Sequence, residues 1–194
     1  MNTFNTIQKI IQIRRSTKPA DMNSKMIANT VIQQLLELAD WAPTHATTEP
    51  WRFLVYEQEA LAKFCADHAE LYKANMPAEK FTVAKYENLI HIADKVSHLV
   101  LVYMKRTEGA TIPALEETAA VAAAMENLLL GAASLDIAVL WSTGGMAHHS
   151  SMKDYLGLSN DDAVMGLLYL GYTDEPLKQG KRKIPLENKI VWKS

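Results

Sequence analysis

Five short apolar or β-branched stretches, separated by blocks of helical pattern without regular strand–helix alternation, predict an α+β fold rather than a doubly wound parallel sheet. A second observation points the same way. Glu116 to Leu135 is a long Ala- and Leu-rich helical pattern, slim enough at Ala119, Ala120, Ala122, Ala123 and Ala124 for other elements to approach closely. Third, 194 residues with 48% hydrophobic and 22% charged side chains are the size and composition of one ordinary globular core. No linker, low-complexity tract or internal repeat divides the chain, so residues 1–194 are expected to form a single domain.

The elements follow in order. Phe4, Ile7, Ile10, Ile11 and Ile13 recur close to helical spacing. Ser24 is placed as the N-cap of a second helix whose stripe is Ile27, Val31, Leu35, Leu36 and Leu38, ending near Trp41 before Pro43. A polar loop then runs to Pro50, and Arg52–Tyr56 is a short strand. Residues 58 to about 95 hold two or more helices broken near Asn75-Met76-Pro77. Ser97–Met104 is an apolar run of strand length and is expected to be fully buried. After the long helix, placed near the centre and buried almost all round, come strand Ile137–Trp141, helix Met152–Leu156 and strand Ala163–Tyr172. A basic segment, Pro176–Pro185, leads to a strand-like Lys189-Ile190-Val191-Trp192.

Composition limits the functions open to this chain. A net charge of −2 argues against general nucleic-acid binding, which calls for a positive excess. Cys65 stands alone, so no internal disulfide forms and a reducing compartment fits; a buried, idle thiol is expected. No apolar run has the length to span a membrane and no signal core is visible, which points to the cytoplasm. His148-His149 point apart without carboxylates at ligand spacing, and His91 and His98 fall at a helix-to-strand junction, so all four are expected to be surface or capping residues rather than metal ligands. No Gly-x-Gly-x-x-Gly follows a strand, which argues against a Rossmann dinucleotide site.

Four segments carry chemistry. Arg14-Arg15-Ser16-Thr17-Lys18 gathers two guanidiniums, two hydroxyls and an ammonium, a dense set for an anionic ligand; a solvated helix end is the plainer alternative. Trp41-Ala42-Pro43-Thr44-His45-Ala46-Thr47-Thr48-Glu49-Pro50 is a hydrogen-bonding loop bracketed by prolines. Trp141-Ser142-Thr143-Gly144-Gly145 follows a strand, and its glycines allow backbone N–H groups to face a ligand. Lys181-Arg182-Lys183 is a second cationic group.

Together with Asn127-Leu128-Leu129-Leu130-Gly131-Ala132-Ala133, Gly166-Leu167-Leu168-Tyr169-Leu170-Gly171-Tyr172 and Lys181-x-Lys183-x-Pro185-Leu186-Glu187, these segments resemble the FMN-dependent nitroreductase family from about Thr6 to Trp192. The Ala42-Pro43-x-His45…Pro50-Trp51-x-Phe53 loop is similar to that of its compact, single-domain members. The resemblance implies a central, mostly antiparallel sheet wrapped by helices, and a homodimer with the long helix at its interface and two FMN sites there, each built from both chains. Arg14, Arg15 and Ser16 match positions that hold the FMN phosphate and ribityl chain, and Lys181 and Lys183 a second phosphate clamp. Lys18 matches a cation near the flavin pyrimidine, where an ammonium stabilises the charge of the reduced ring. Trp141, Ser142, Thr143 and Gly144 match the loop over the isoalloxazine, with a backbone N–H for N5; His45 matches a position near the partner's flavin.

The chain departs from the family pattern at Trp41, where relatives often carry Arg, at Thr47 and Glu49, where Asn and Gln are common, and at Lys183, where Arg is usual. An ionised Glu49 can accept from flavin N3–H but cannot donate. The implied activity is ping-pong reduction of nitroaromatic, quinone or related small acceptors by NAD(P)H, with the chemistry on FMN and no protein acid or base required. Enone reductase, dehydrogenase and dehalogenase activities share this fold, and a non-catalytic flavin-binding protein is the alternative outside enzymes. A dehalogenase calls for a longer lid than segment 66–96 provides.

Overall fold

A computed structural model describes residues 2–109, 111–176 and 178–193. Its centre is a four-stranded sheet of β1 (Trp51–Glu57), β2 (His98–Met104), β3 (Ala138–Ser142) and β4 (Ala163–Gly171). The order is β1-β2-β4-β3 and every pairing is antiparallel. Six α-helices among the described residues cover the sheet: α1 (Thr3–Ile13), α2 (Asn29–Asp40), α3 (Gln58–Asn75), α4 (Val83–Ile90), α5 (Ala114–Ser134) and α6 (Ser150–Leu156). The expected α+β class and antiparallel sheet are what is found.

Strand periodicity sorts the core into two layers. Val100, Val102, Leu168 and Leu170 face α2 and α5, while Leu99, Leu101, Leu167 and Tyr169 face α3 and α6. The middle strands β2 and β4 are therefore apolar on both faces, which is why Ser97–Met104 lacks alternation. Each fully buried Leu or Val contributes roughly 1.5–3 kcal/mol of transfer free energy. Gly131 of α5 lets α2 approach: a Cβ there would meet Leu38 Cδ1 at 2.6 Å and Leu35 Cδ2 at 3.0 Å.

Several details differ from the sequence expectations. Ser24 does not cap α2. It adopts φ 64° and ties its backbone and hydroxyl to Lys95 and Asp94, and α2 begins five residues later, at Asn29. Long-range bonds override the capping preference there. Lys189–Trp192 is not a strand: a 3₁₀ turn at Leu186–Lys189 leads into an exposed segment that pairs with none of the four strands. α5 is buried against the sheet and α2, but Leu115 and Ala119 are exposed and Ala122 and Ala123 half-buried along one stripe. His98 is buried rather than on the surface, between Ser97 Oγ (2.8 Å) and Asn29 Oδ1 (3.0 Å). His149 does cap a helix, accepting the Ser151 N–H, and Cys65 is buried with its thiol pushed up to about 12 by desolvation.

Candidate functional site

The site begins where α1 ends. Arg14 leaves the helix at φ −54°, ψ 116°, and the chain runs beside the edge strand β3, where the Thr17 N–H donates to Val139 O at 3.0 Å. That parallel bridge, Ser16 to Val139, fixes the anion-binding set on the sheet. Arg14, Arg15, Ser16 and Thr17 form one rim of a cavity of about 320 Å³. Leu129 and Ala133 of α5 and Val139 of β3 form its apolar wall, and Thr173 and Lys178 close the far side. A second cavity, about 430 Å³, is lined by Arg14, Ser16, Glu126, Leu129, Val139, Trp141 and Thr143. Asp21, Asp136 and Glu175 also line the first cavity, so its rim carries both signs of charge; charged rim, apolar wall and volume are those of a small-molecule site.

The charges are held, not loose. Arg14 Nε lies 3.7 Å from Glu126 Oε1. Arg15 donates back to the helix-end carbonyls of Gln12 (2.7 Å) and Ile13 (3.4 Å), and Gly180 packs so closely over its guanidinium that a Cβ there would displace it. Lys178 Nζ sits 3.6 Å from Asp21 Oδ2. Lys178, Glu126, Leu129 and Val139 were not singled out as site residues from sequence. Only Leu129 lay inside a quoted motif, and Lys178 is separated from the Lys181–Lys183 run that drew attention to this tail. Lys181 and Lys183 are exposed beyond Gly180, and Lys18 is exposed at the start of the 3₁₀ turn Pro19–Asp21; none of the three lines the cavities.

Trp141 and Thr143 come to the cavity through a β-bulge. Val102 pairs with Gly166 but Tyr103 with Val164, so Met165 is left out of the ladder. Its carbonyl instead accepts the Trp141 indole N–H at 3.0 Å. Gly166 is required at that point, since a Cβ would collide with the indole and approach Ser142 O at 3.1 Å. Beyond Thr143 the chain turns: the Gly144 N–H donates to Ser142 Oγ (3.3 Å) and the Met146 N–H to His68 Nε2 (2.9 Å). His68 is buried on α3, and desolvation, with the Lys85 charge nearby, holds its pKa down to about 4. Its Nε2 accepts, so the neutral ring carries its proton on Nδ1.

The proline-bracketed loop lies elsewhere. His45 Nδ1 is 2.5 Å from Glu116 Oε2, in the first turn of α5. Ala46, Thr47 and Glu49 all have positive φ (51°, 53° and 42°), and Thr44 Oγ1 takes the Glu49 N–H. Three strained non-glycine residues in four are held by this network and by Arg52, which donates to Glu49 O at 2.8 Å. Glu116 and Leu129 are thirteen residues apart on one helix, about 20 Å. Trp41, His45, Thr47 and Glu49 are thus not brought to the cavity of their own chain.

A sheet with its middle strands buried between helices, and a cleft with charged rim and apolar wall at its β3 edge, is the nitroreductase-like architecture. The chain belongs to the nitroreductase family, whose model matches residues 11–172. It is 26% identical over 192 residues to YfhC of Bacillus subtilis, which carries the provisional name NAD(P)H nitroreductase; the match spans 98% of this chain and 96% of that one. A nitroreductase-like family protein from Bacillus cereus superimposes with a TM-score of 0.79 at 26% identity, over 99% of this chain and 98% of the other. A Desulfovibrio desulfuricans protein solved in complex with FMN gives a TM-score of 0.71 at 20% identity, covering 100% and 98% of the two chains. The resemblance drawn from six ordered motifs therefore holds over the fold. No helix among the described residues is long and apolar enough to cross a membrane.

Proposed function

We propose that this chain is an FMN-dependent NAD(P)H oxidoreductase acting on nitroaromatic, quinone or related small acceptors. One observation carries the proposal: the Arg14–Thr17 set is bonded to β3 at the rim of a cavity whose wall is apolar. Guanidinium and hydroxyl groups suit a phosphate, and Leu129, Val139 and Trp141 suit a flat apolar ring, so the residues present fit FMN. FMN is also what the Desulfovibrio desulfuricans neighbour holds. When bound, FMN supplies two-electron chemistry, taking a hydride from NAD(P)H and passing it to an acceptor in a ping-pong sequence.

The chain's own groups bind and orient. Arg14, Arg15, Ser16 and Lys178 hold the phosphate end, with Lys181 and Lys183 adding charge from the tail. Trp141, Ser142, Thr143 and Gly144 cover the ring, and Lys18 offsets charge on the reduced form. The wall at Leu129 and Val139 excludes water.

A second copy completes the site. Trp41 is 86% exposed and Trp192 90%, and Phe4, Ile7 and Ile11 of α1 are exposed too. Apolar exposure on that scale, together with the open Leu115–Ala119–Ala122 stripe of α5, supports a homodimer interface. Two antiparallel copies of α5 would carry each His45 loop, with Trp41, Thr47 and Glu49, toward the partner's cavity. Residues 1–194 act as one domain in this arrangement, and the lone buried Cys65 fits a cytoplasmic protein. The test is an absorbance spectrum of purified protein reconstituted with FMN. Flavin bands that bleach on anaerobic NAD(P)H and return with a quinone are expected, and heat-released cofactor should comigrate with FMN. No flavin uptake, or FAD in its place, overturns the proposal.

A further inference from the structure

Buried histidines earn their place by hydrogen bonding, and His68 spends its acceptor on a loop rather than on its own surroundings. Its ring sits on α3 between Phe64 (5.8 Å between centroids) and the backbone of residues 145–146. The Met146 N–H donates to Nε2 at 2.9 Å, and Gly145, at φ 65°, passes so close to the ring that no side chain would fit. The Met146 side chain then enters the cluster of Ala69, Tyr72 and Leu89. One turn along α3 from His68, Tyr72 OH donates to Lys80 O (3.2 Å) and accepts the Thr82 N–H (3.1 Å), tying down the connection to α4. The turn after β3 is therefore fastened to the α3–α4 hairpin by one hydrogen bond and one buried side chain. Three residues before Met146, Thr143 lines the cavity.

We infer that His68 is a positioning residue for the flavin site: by accepting the Met146 N–H it holds the Thr143–Gly144 backbone at the cavity and sets how tightly FMN binds. It touches neither cofactor nor acceptor and acts only through the loop. The inference rests on the FMN reading of the cavity. Its geometry, however, lies within one chain and does not depend on the second copy. A neutral ring is needed, and burial together with the Lys85 charge keeps it neutral.

Three variants separate positioning from packing. His68→Gln keeps an acceptor near the Nε2 position, His68→Phe keeps the ring without the acceptor, and His68→Asn withdraws the acceptor by one bond. FMN dissociation constants are measured by flavin fluorescence on the apoprotein, amide exchange over residues 143–147 by mass spectrometry, and folding by thermal unfolding. With the bond as the determinant, His68→Phe and His68→Asn weaken FMN about tenfold and speed exchange in the 143–147 peptide, whereas His68→Gln stays near wild type on both. Should His68→Phe fail to fold, His68→Asn carries the same comparison with His68→Gln. Wild-type affinity and exchange in His68→Phe or His68→Asn, with only a lowered unfolding temperature, overturn the positioning role and leave the flavin reading intact. Equal weakening in all three also overturns it, because the acceptor would then not be what matters. Wild-type protein that takes up no FMN removes the flavin reading, and the positioning role with it, while the exchange data still report whether His68 holds the loop.

Discussion

The two segments proposed to face the ligand are built in opposite ways. Arg14–Thr17 is stitched to β3 and meets Leu129 and Val139 within its own chain, so this part of the proposed site is formed by the single chain. The 42–50 loop is just as constrained, by strained backbone and the His45–Glu116 contact, but its functional side chains face away from that cavity. Rigid, polar and exposed together make sense for a surface prepared for something outside the chain. In the proposed dimer, preorganisation and assembly are separate: each chain would prepare both halves and join neither.

The largest effect expected from breaking this comparison is on the turn that borders the part formed by the single chain. His68 is neutral when folded down to about pH 4, whereas the unfolded chain takes up its proton near 6.5. The unfolded state therefore binds more protons between those values. The stabilisation is complete above pH 6.5 and drains away as pH falls toward 4, by about 3 kcal/mol in total. Denaturant unfolding at a series of pH values should show that slope in wild type and a shallower one in His68→Gln, where His98, also held down by burial, still contributes. An unchanged slope in the variant would assign it to other groups.

Next comes Arg14. Replacing it with Ala removes a charge-assisted contact and should weaken FMN by ~2–3 kcal/mol in a fluorescence titration. Lys181→Ala or Lys183→Ala, at exposed positions, should each cost less than ~1 kcal/mol. Equal losses at all three would mean that the tail, not the β3 edge, is the principal phosphate contact. Lys18→Ala is smaller and more specific. A coupling of roughly 1–2 kcal/mol to the reduced flavin lowers the two-electron midpoint potential by about 20–45 mV, with oxidised FMN still bound. Equal midpoints in potentiometric titration would leave Lys18 a solvated residue ahead of Pro19. Smallest is Glu116→Gln: the His45 and Glu116 side chains are both largely exposed, so stability should change by less than ~1 kcal/mol. A larger loss would show that the loop depends on this one contact.

Much of this was legible in advance because long periodic segments declare themselves. The Ala-rich α5, the apolar β2 and β4, and the helix break at Asn75-Met76-Pro77 all fall where pattern places them. What escaped depends on partners distant in sequence. Ser24 looks like an N-cap until its bonds to Asp94 and Lys95 are seen, and Lys189–Trp192 has strand composition but pairs with no strand of its own chain. His98 and His68 were invisible as buried acceptors, since a lone histidine carries no periodic signal of its own. His68 did leave a trace: Phe64, His68 and Tyr72 recur every four residues on α3, opposite a Gly-Gly turn that needs a close neighbour. In the site, the anion set was readable because charge density is local. Glu126, Val139 and Lys178 were not, because only folding brings α5, β3 and the tail to the two cavities that share Arg14, Ser16, Leu129 and Val139.

The claim that one chain supplies only half of each site is tested most directly by titrating apoprotein with FMN while measuring particle mass by light scattering at micromolar concentration. The account predicts one FMN per chain in a particle of twice the 21.7 kDa chain mass. A monomer that binds FMN with full stoichiometry and turns over NAD(P)H would contradict it.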